Sequence, residues 1–166
     1  MGQLPTHPAL VHLPIALALV MPLLTSGLLA LWWRGVLPRK AWLIAIAMQA
    51  LLVVGGMASL STGERDEERV EALVPEAAIE AHEDAAKVFV AAGAATLLMA
   101  IGAAAIRGER GARIAAGAAT AMTVVVLGLG YRVGEAGGRL VYEHGAARAF
   151  TDAPAAVVQV SSADDE

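Results

Sequence analysis

Four histidines, His7, His12, His82 and His144, are the residues of this 166-residue chain whose chemistry could reach beyond packing. Neutral imidazole is the commonest protein metal ligand, and it also binds haem iron axially. The chain has no cysteine. That excludes disulfides, thiolate metal sites, cysteine-ligated iron–sulfur clusters and a covalently attached c-type haem. A haem here is therefore b-type, and a transition metal ion has histidine, carboxylate or methionine to bind it. Glu64 and Glu83 are the carboxylates expected to join the histidines at a metal, with Glu135 and Glu143 close by in the chain. Arg132, Arg139 and Arg148 could pair with haem propionates. Spacing does not choose between haem, copper and zinc. His82-Glu83 is not followed by the second histidine of a zinc-peptidase helix.

Each histidine also has an ordinary structural role open to it. His12 could bond a loop carbonyl, and His82 could be a satisfied interior histidine. His7 and His12 are five positions apart, about 140° around a regular helix, so they share a face only if Pro8 and Pro14 distort the turn. Ser59, Ser61 and Thr62 with His82 resemble a nucleophile and base, but hydroxyls near a helix end are usually caps. The glycines of GEAGG follow no strand, so they form no dinucleotide loop.

The elements that must position these residues are read from hydropathy. Apolar residues make up 57% of the chain, above the roughly 45–50% of soluble domains, and mean hydropathy is +0.61. The excess falls in four blocks at about 10–33, 41–62, 88–106 and 114–131. A bilayer core needs about 20 apolar residues as helix. The expected fold is therefore all-α, a polytopic membrane four-helix bundle. A soluble bundle would show a polar face every turn, and the first two blocks show none. No Lys or Arg precedes the first block, and its apolar run is long, so it reads as a retained span rather than a signal peptide. Blocks three and four are rich in Ala and Gly and need close packing, with Gly93, Gly102, Gly117, Gly128 and Gly130 as candidate contacts. Trp32, Trp33 and Trp42 are placed as interfacial anchors. Apart from His12 near the start of the first span and Tyr131 at the end of the fourth, the spans contain no ionisable residue, which argues against a transporter.

Orientation follows from the connections. Arg34, Arg39 and Lys40 follow the first span, and Arg107, Arg110 and Arg113 follow the third. Short basic loops stay in the cytoplasm, so both termini and the acidic connection 63–87 are expected on the outer side. All four histidines then sit at one membrane face. Residues 63–87 read as an outer helical loop, with Pro75 opening a second helix that runs into span three. Ala78, Ile79, His82, Ala86 and Phe89 form one stripe on it, turning His82 towards the bundle. Gly137 and Gly138 are expected to end the last helix, leaving 140–142 as a surface segment. Residues 148–166 read as an acidic disordered tail. The net charge of −4 carries no nucleic-acid footprint.

The opening HPALVHLPIAL at 7–17, TGE at 62–64, AHED at 81–84 and GGRLVYEHG at 137–145 together resemble a bacterial four-span membrane family of unknown function. That family opens with HPxxVHFPIAL. The resemblance covers about 7 to 147, with Leu13 standing where the family usually has Phe. It implies four spans and draws attention to His7, His12, Glu64, His82 and His144. Some members are joined to cytochrome-like domains, which implies a haem or redox role.

Two functions are carried forward. In the first, the chain is a bacterial inner-membrane protein whose periplasmic histidine cluster binds haem b or a metal ion for electron transfer. In the second, it is a non-catalytic structural or interaction subunit with a bracing histidine cap. The expected partners are the lipid bilayer and either a membrane redox partner or a second copy. An enzymatic role has no reaction class to support it.

Overall fold

A computed structural model describes residues 7–151, which are helical throughout apart from short connections. A four-residue helix α1 (His7–Leu10) precedes α2 (His12–Trp33). A 3-10 turn at Arg39–Ala41 leads into α3 (Trp42–Val70). Two long helices follow, α4 (Glu76–Ala105) and α5 (Glu109–Tyr142), and then a short α6 (Arg148–Thr151). Of the tail expected from 148 onward, the first four residues are thus helical, and the rest lies outside the described residues.

Helices α2 to α5 are each long and apolar enough to cross a membrane. Their outward faces are greasy: Leu23 is 78% exposed and Leu98 is 69% exposed. Such a surface is satisfied by lipid, not water. α4 has 30 residues, about 45 Å at 1.5 Å per residue, against about 30 Å of hydrocarbon. Its uncharged stretch is 88–105, and 76–87 is a charged extension of the same helix. The hinge between α3 and α4 is as expected, with Pro75 at the start of α4.

The end of α5 differs. The helix runs through Gly137 and Gly138 to Tyr142, so 140–142 is its last turn and not a separate segment. Two things favour continuation. Glu135 and Arg139 pair at 2.9 Å across those glycines, and the missing side chain of Gly137 admits a neighbouring ring. The true stop is Gly145, whose φ of +71° suits the left-handed turn that ends a helix. The Ala146 amide then bonds back to the Leu140 carbonyl.

The bundle core has two halves. One packs Leu17, Ala18, Met21, Leu52, Phe89 and Val126. The other packs Trp32 and Trp42 over the alanines of α4 and α5. Trp32 and Trp42 are therefore interior residues, whereas Trp33 is 60% exposed, as an anchor would be. Indole N–H groups need partners when buried: Trp42 donates to the Ala100 carbonyl at 3.1 Å, and Trp32 donates to Glu109 at 3.2 Å. Among the glycines, Gly93 and Gly130 make close contacts, while Gly102 and Gly128 face open space. Between the halves, each span contributes one buried polar residue, Thr25, Gln49, Thr96 and Thr123. Gln49 donates across to the Gly93 carbonyl at 3.0 Å, linking α3 to α4 where lipid offers no competing partner.

At the basic end, the Arg39 guanidinium reaches the carbonyls of Ala103, Ala104 and Ile106. These are the unpaired acceptors that close α4, where a cation also meets the negative end of the helix dipole. Arg39→Ala is expected to lower stability by about 1–2 kcal/mol, read by denaturant titration in mild detergent. Arg39→Lys should recover only a fraction of it, because it keeps the charge and loses the fork. Equal stability of all three proteins would refute this cap.

Candidate functional site

At the opposite end from Arg39, four elements converge on two histidines. Val11 between α1 and α2 keeps helical backbone angles, φ −62° and ψ −24°, and its amide bonds to the His7 carbonyl, so α1 leads directly into the first span. α1 lies against the C-terminal end of α3. There the His7 Nδ1 lies 2.8 Å from the Ser59 carbonyl and 3.4 Å from Thr62 Oγ1. Because the carbonyl can only accept, His7 donates from Nδ1, and its Nε2 is left as an acceptor. Gly63 makes room for this ring: a Cβ there would lie 3.3 Å from His7 Cε1.

His82 enters from α4, facing the bundle as its stripe predicts. It is half-buried, with Ile79 and Phe89 of the same stripe buried on either side. The Gly137 backbone on α5 backs its ring, and a Cβ there would lie 3.1 Å from His82 Cε1. His7 and His82 meet with ring centroids 6.2 Å apart and planes at 88°. His82 Nδ1 is buried and has no hydrogen-bond partner among the described residues. Burial pushes the His82 pKa below its ordinary 6.5, and the neighbouring His7 pushes it the same way, with the Val133 carbonyl opposing. The neutral ring is therefore favoured, which is the form that ligates metals.

The other expected ligands are not gathered to this pair. His12 is exposed, although it opens α2 beside His7. His144 is half-buried in the turn after α5. Among the described residues, neither has a ring contact or a side-chain hydrogen bond. Glu64 is exposed, and Glu83 pairs with Lys87 at 2.9 Å. Glu64, Glu71 and Glu83 act together on Glu67, whose pKa is raised by partial burial and by these three charges, with Lys87 opposing. Among the described residues, no three of His, Asp and Glu are grouped so as to hold a metal ion.

Sequence reasoning found the two histidines but missed what positions them. The main-chain acceptor at Ser59 has no side-chain signal. Gly63 and Gly137 were visible, one within TGE and the other in the glycine pair read as a helix stop. A glycine one turn from the bundle end, facing a histidine stripe, is the signal that could have identified them.

The pair suits a transition-metal centre by its donor chemistry. Metal-bound imidazoles typically have their second nitrogen tied to a carbonyl or carboxylate. His7 has that arrangement, and His82 has an orphaned buried nitrogen. A single ion asks less of this site than a porphyrin, which would have to separate a pair of rings already in edge contact and backed by helix backbone.

Residues 3–149, nearly the whole chain, match the family described as "Predicted membrane protein (DUF2231)". No curated protein and no solved structure matches the chain.

Proposed function

The chain belongs to the DUF2231 family of predicted membrane proteins, and on that premise we propose that it is a multi-pass protein of the bacterial inner membrane carrying a two-histidine metal centre at its periplasmic end. His7 and His82 are the ligands, and the centre is a transition metal ion or the iron of a b-type haem serving electron transfer. The observation that supports this best is the buried, unpartnered Nδ1 of His82, on a ring whose centroid lies 6.2 Å from that of His7. A buried polar atom without a partner costs free energy unless something unseen completes it. The acids around Glu67 add a negative potential that favours a cation.

The periplasmic assignment rests on the basic connections. Arg34, Arg39, Lys40, Arg107, Arg110 and Arg113 lie at the end away from the histidine pair, and short basic loops remain cytoplasmic. Four crossings put both termini outside. A membrane redox partner or a second copy would complete an electron path.

The test is an absorption spectrum with elemental analysis of protein extracted in mild detergent. A stoichiometric transition metal without a Soret band identifies an ion, and a Soret band with iron identifies haem. Neither signal, after supplementation with both haem and metals during growth, ends the proposal.

One observation favours a second reading, in which the histidines brace the bundle as a structural subunit. The His7–Ser59 bond ties α1 to α3, and the ring contact ties α1 to α4. Under that reading, loss of His82 changes assembly or stability and leaves every spectrum unchanged.

A further inference from the structure

Beside the histidine pair, on the outer surface of the α4–α5 contact, lies an open groove lined by Ala81, Asp84, Ala85, Val88, Leu129 and Arg132. It has a volume of about 190 Å³, room for several heavy-atom groups. Its floor and its rim differ in character. Ala81, Ala85 and Val88 recur at the spacing of one helix face, and Leu129 closes the same trough from α5. At its mouth stand two opposite charges, Asp84 on α4 and Arg132 on α5, both exposed.

These two charges are not joined to each other. The ion pairs of this region lie elsewhere, between Glu83 and Lys87 and between Glu135 and Arg139. Lys87 also feels Asp84 through space, but its hydrogen bond goes to Glu83. Glu135, the acid one turn from Arg132, is held by Arg139. The groove therefore presents one anion and one cation at opposite walls.

Depth decides what can reach it. Asp84 precedes the uncharged stretch 88–105 by four residues, about 6 Å along a helix. Arg132 directly follows Tyr131, where the apolar block of α5 ends. The polar layer on each side of the hydrocarbon is about 5–7 Å thick. Both charges thus lie at headgroup level, and Val88 and Leu129 lie at the top of the acyl region.

We propose that this groove is a binding site for a zwitterionic phospholipid headgroup of the phosphoethanolamine type. Arg132 takes the phosphate, because a guanidinium matches phosphate geometry and an arginine at a helix end extends to that level. Asp84 takes the primary ammonium, which offers N–H donors to a carboxylate. The alanine floor admits the glycerol backbone, and Val88 and Leu129 meet the first methylenes of an acyl chain. A choline headgroup has no N–H to give Asp84. A glycerol headgroup leaves the lipid net negative and Asp84 without a cation.

The experiment is native mass spectrometry of the full chain after equilibration in mild detergent with equimolar phosphatidylethanolamine, phosphatidylcholine and phosphatidylglycerol. The wild type is expected to retain phosphatidylethanolamine severalfold over the other two. Asp84→Asn should lose that preference over phosphatidylcholine, and Arg132→Gln should lose retention of all three. Both positions are exposed, and circular dichroism checks that helix content is unchanged. Equal retention of the three lipids by the wild type, or retention unaltered in both variants, overturns the site. Preferential retention of phosphatidylglycerol overturns the role of Asp84.

Discussion

With the proposed two-histidine centre, His82→Ala protein is expected to bind a transition metal ion more than about 100-fold more weakly than wild type. Loss of a supporting partner alone typically costs 10–100-fold in metal affinity, and removing a ligand outright costs more. His7→Ala should match it, because both rings meet at one point, 6.2 Å between centroids. His12→Ala should leave binding within about threefold of wild type, since His12 is exposed and outside the pair. Titration of the purified variants with the metal found in wild-type protein reads all three. Equal affinity of the His82 and His12 variants would remove His82 from the centre. Circular dichroism and unfolding midpoints guard against a folding defect. His82→Gln, which keeps a polar side chain of comparable reach, should fold and still fail to bind.

The same residue confers a pH dependence on the histidine end of the bundle. Its folded pKa lies below 6.5 because burial, and secondly His7, disfavour the charged ring. The unfolded chain then binds the proton more readily than the folded one. Stability is full above about pH 6.5 and declines as pH falls below it, until the folded form is protonated too. Amide exchange in α1 and around Ser59 should accelerate as the pH is lowered from above 6.5 to well below it. The acceleration should be blunted in His82→Gln, and a pH response identical in both proteins would assign it to another group.

Trp42→Ala is expected to be the most destabilising single change at the other end. Trp42 is 3% exposed, lies 6.5 Å from Trp32 and donates to the Ala100 carbonyl. Truncating a buried aromatic costs about 3–5 kcal/mol in soluble cores. In a bilayer the unpacked state is also solvated by hydrocarbon, so the transfer contribution shrinks and about 2–4 kcal/mol is expected here. Trp42→Phe keeps the ring and loses the N–H, for a cost nearer to about 1 kcal/mol. Reversible unfolding of the purified protein by added ionic detergent measures both. A change for alanine no larger than that for phenylalanine would show that this half of the bundle is not packed through its indoles.

The spans were legible because lipid imposes one rule, a hydrocarbon-length apolar helix, and 10–33 and 41–62 obey it without exception. The stripe from Ala78 to Phe89 likewise turned His82 inward, because helical periodicity leaves it no other face. What the sequence concealed was set by tertiary contact. Gly137 and Gly138 are stop signals by local propensity, yet α5 passes through them, since His82 occupies the space a side chain would take. Trp32 and Trp42 carry the composition of interfacial anchors but pack inward over a floor of alanines. His12 stands apart from His7 as a spacing of five on a regular helix predicts, since the backbone at Val11 stays helical.

The placement of Arg39 bears on how such a chain is made. A ribosome delivers the first hairpin, α2 and α3, before α4 exists. The guanidinium that will close α4 is thus already in place at the basic end of the bundle when the third span arrives, and the later hairpin finishes its own end on the earlier one. Biogenesis thereby acquires a direction. The first half can template the second, whereas a second half made alone would leave the carbonyls of Ala103, Ala104 and Ile106 without the Arg39 guanidinium.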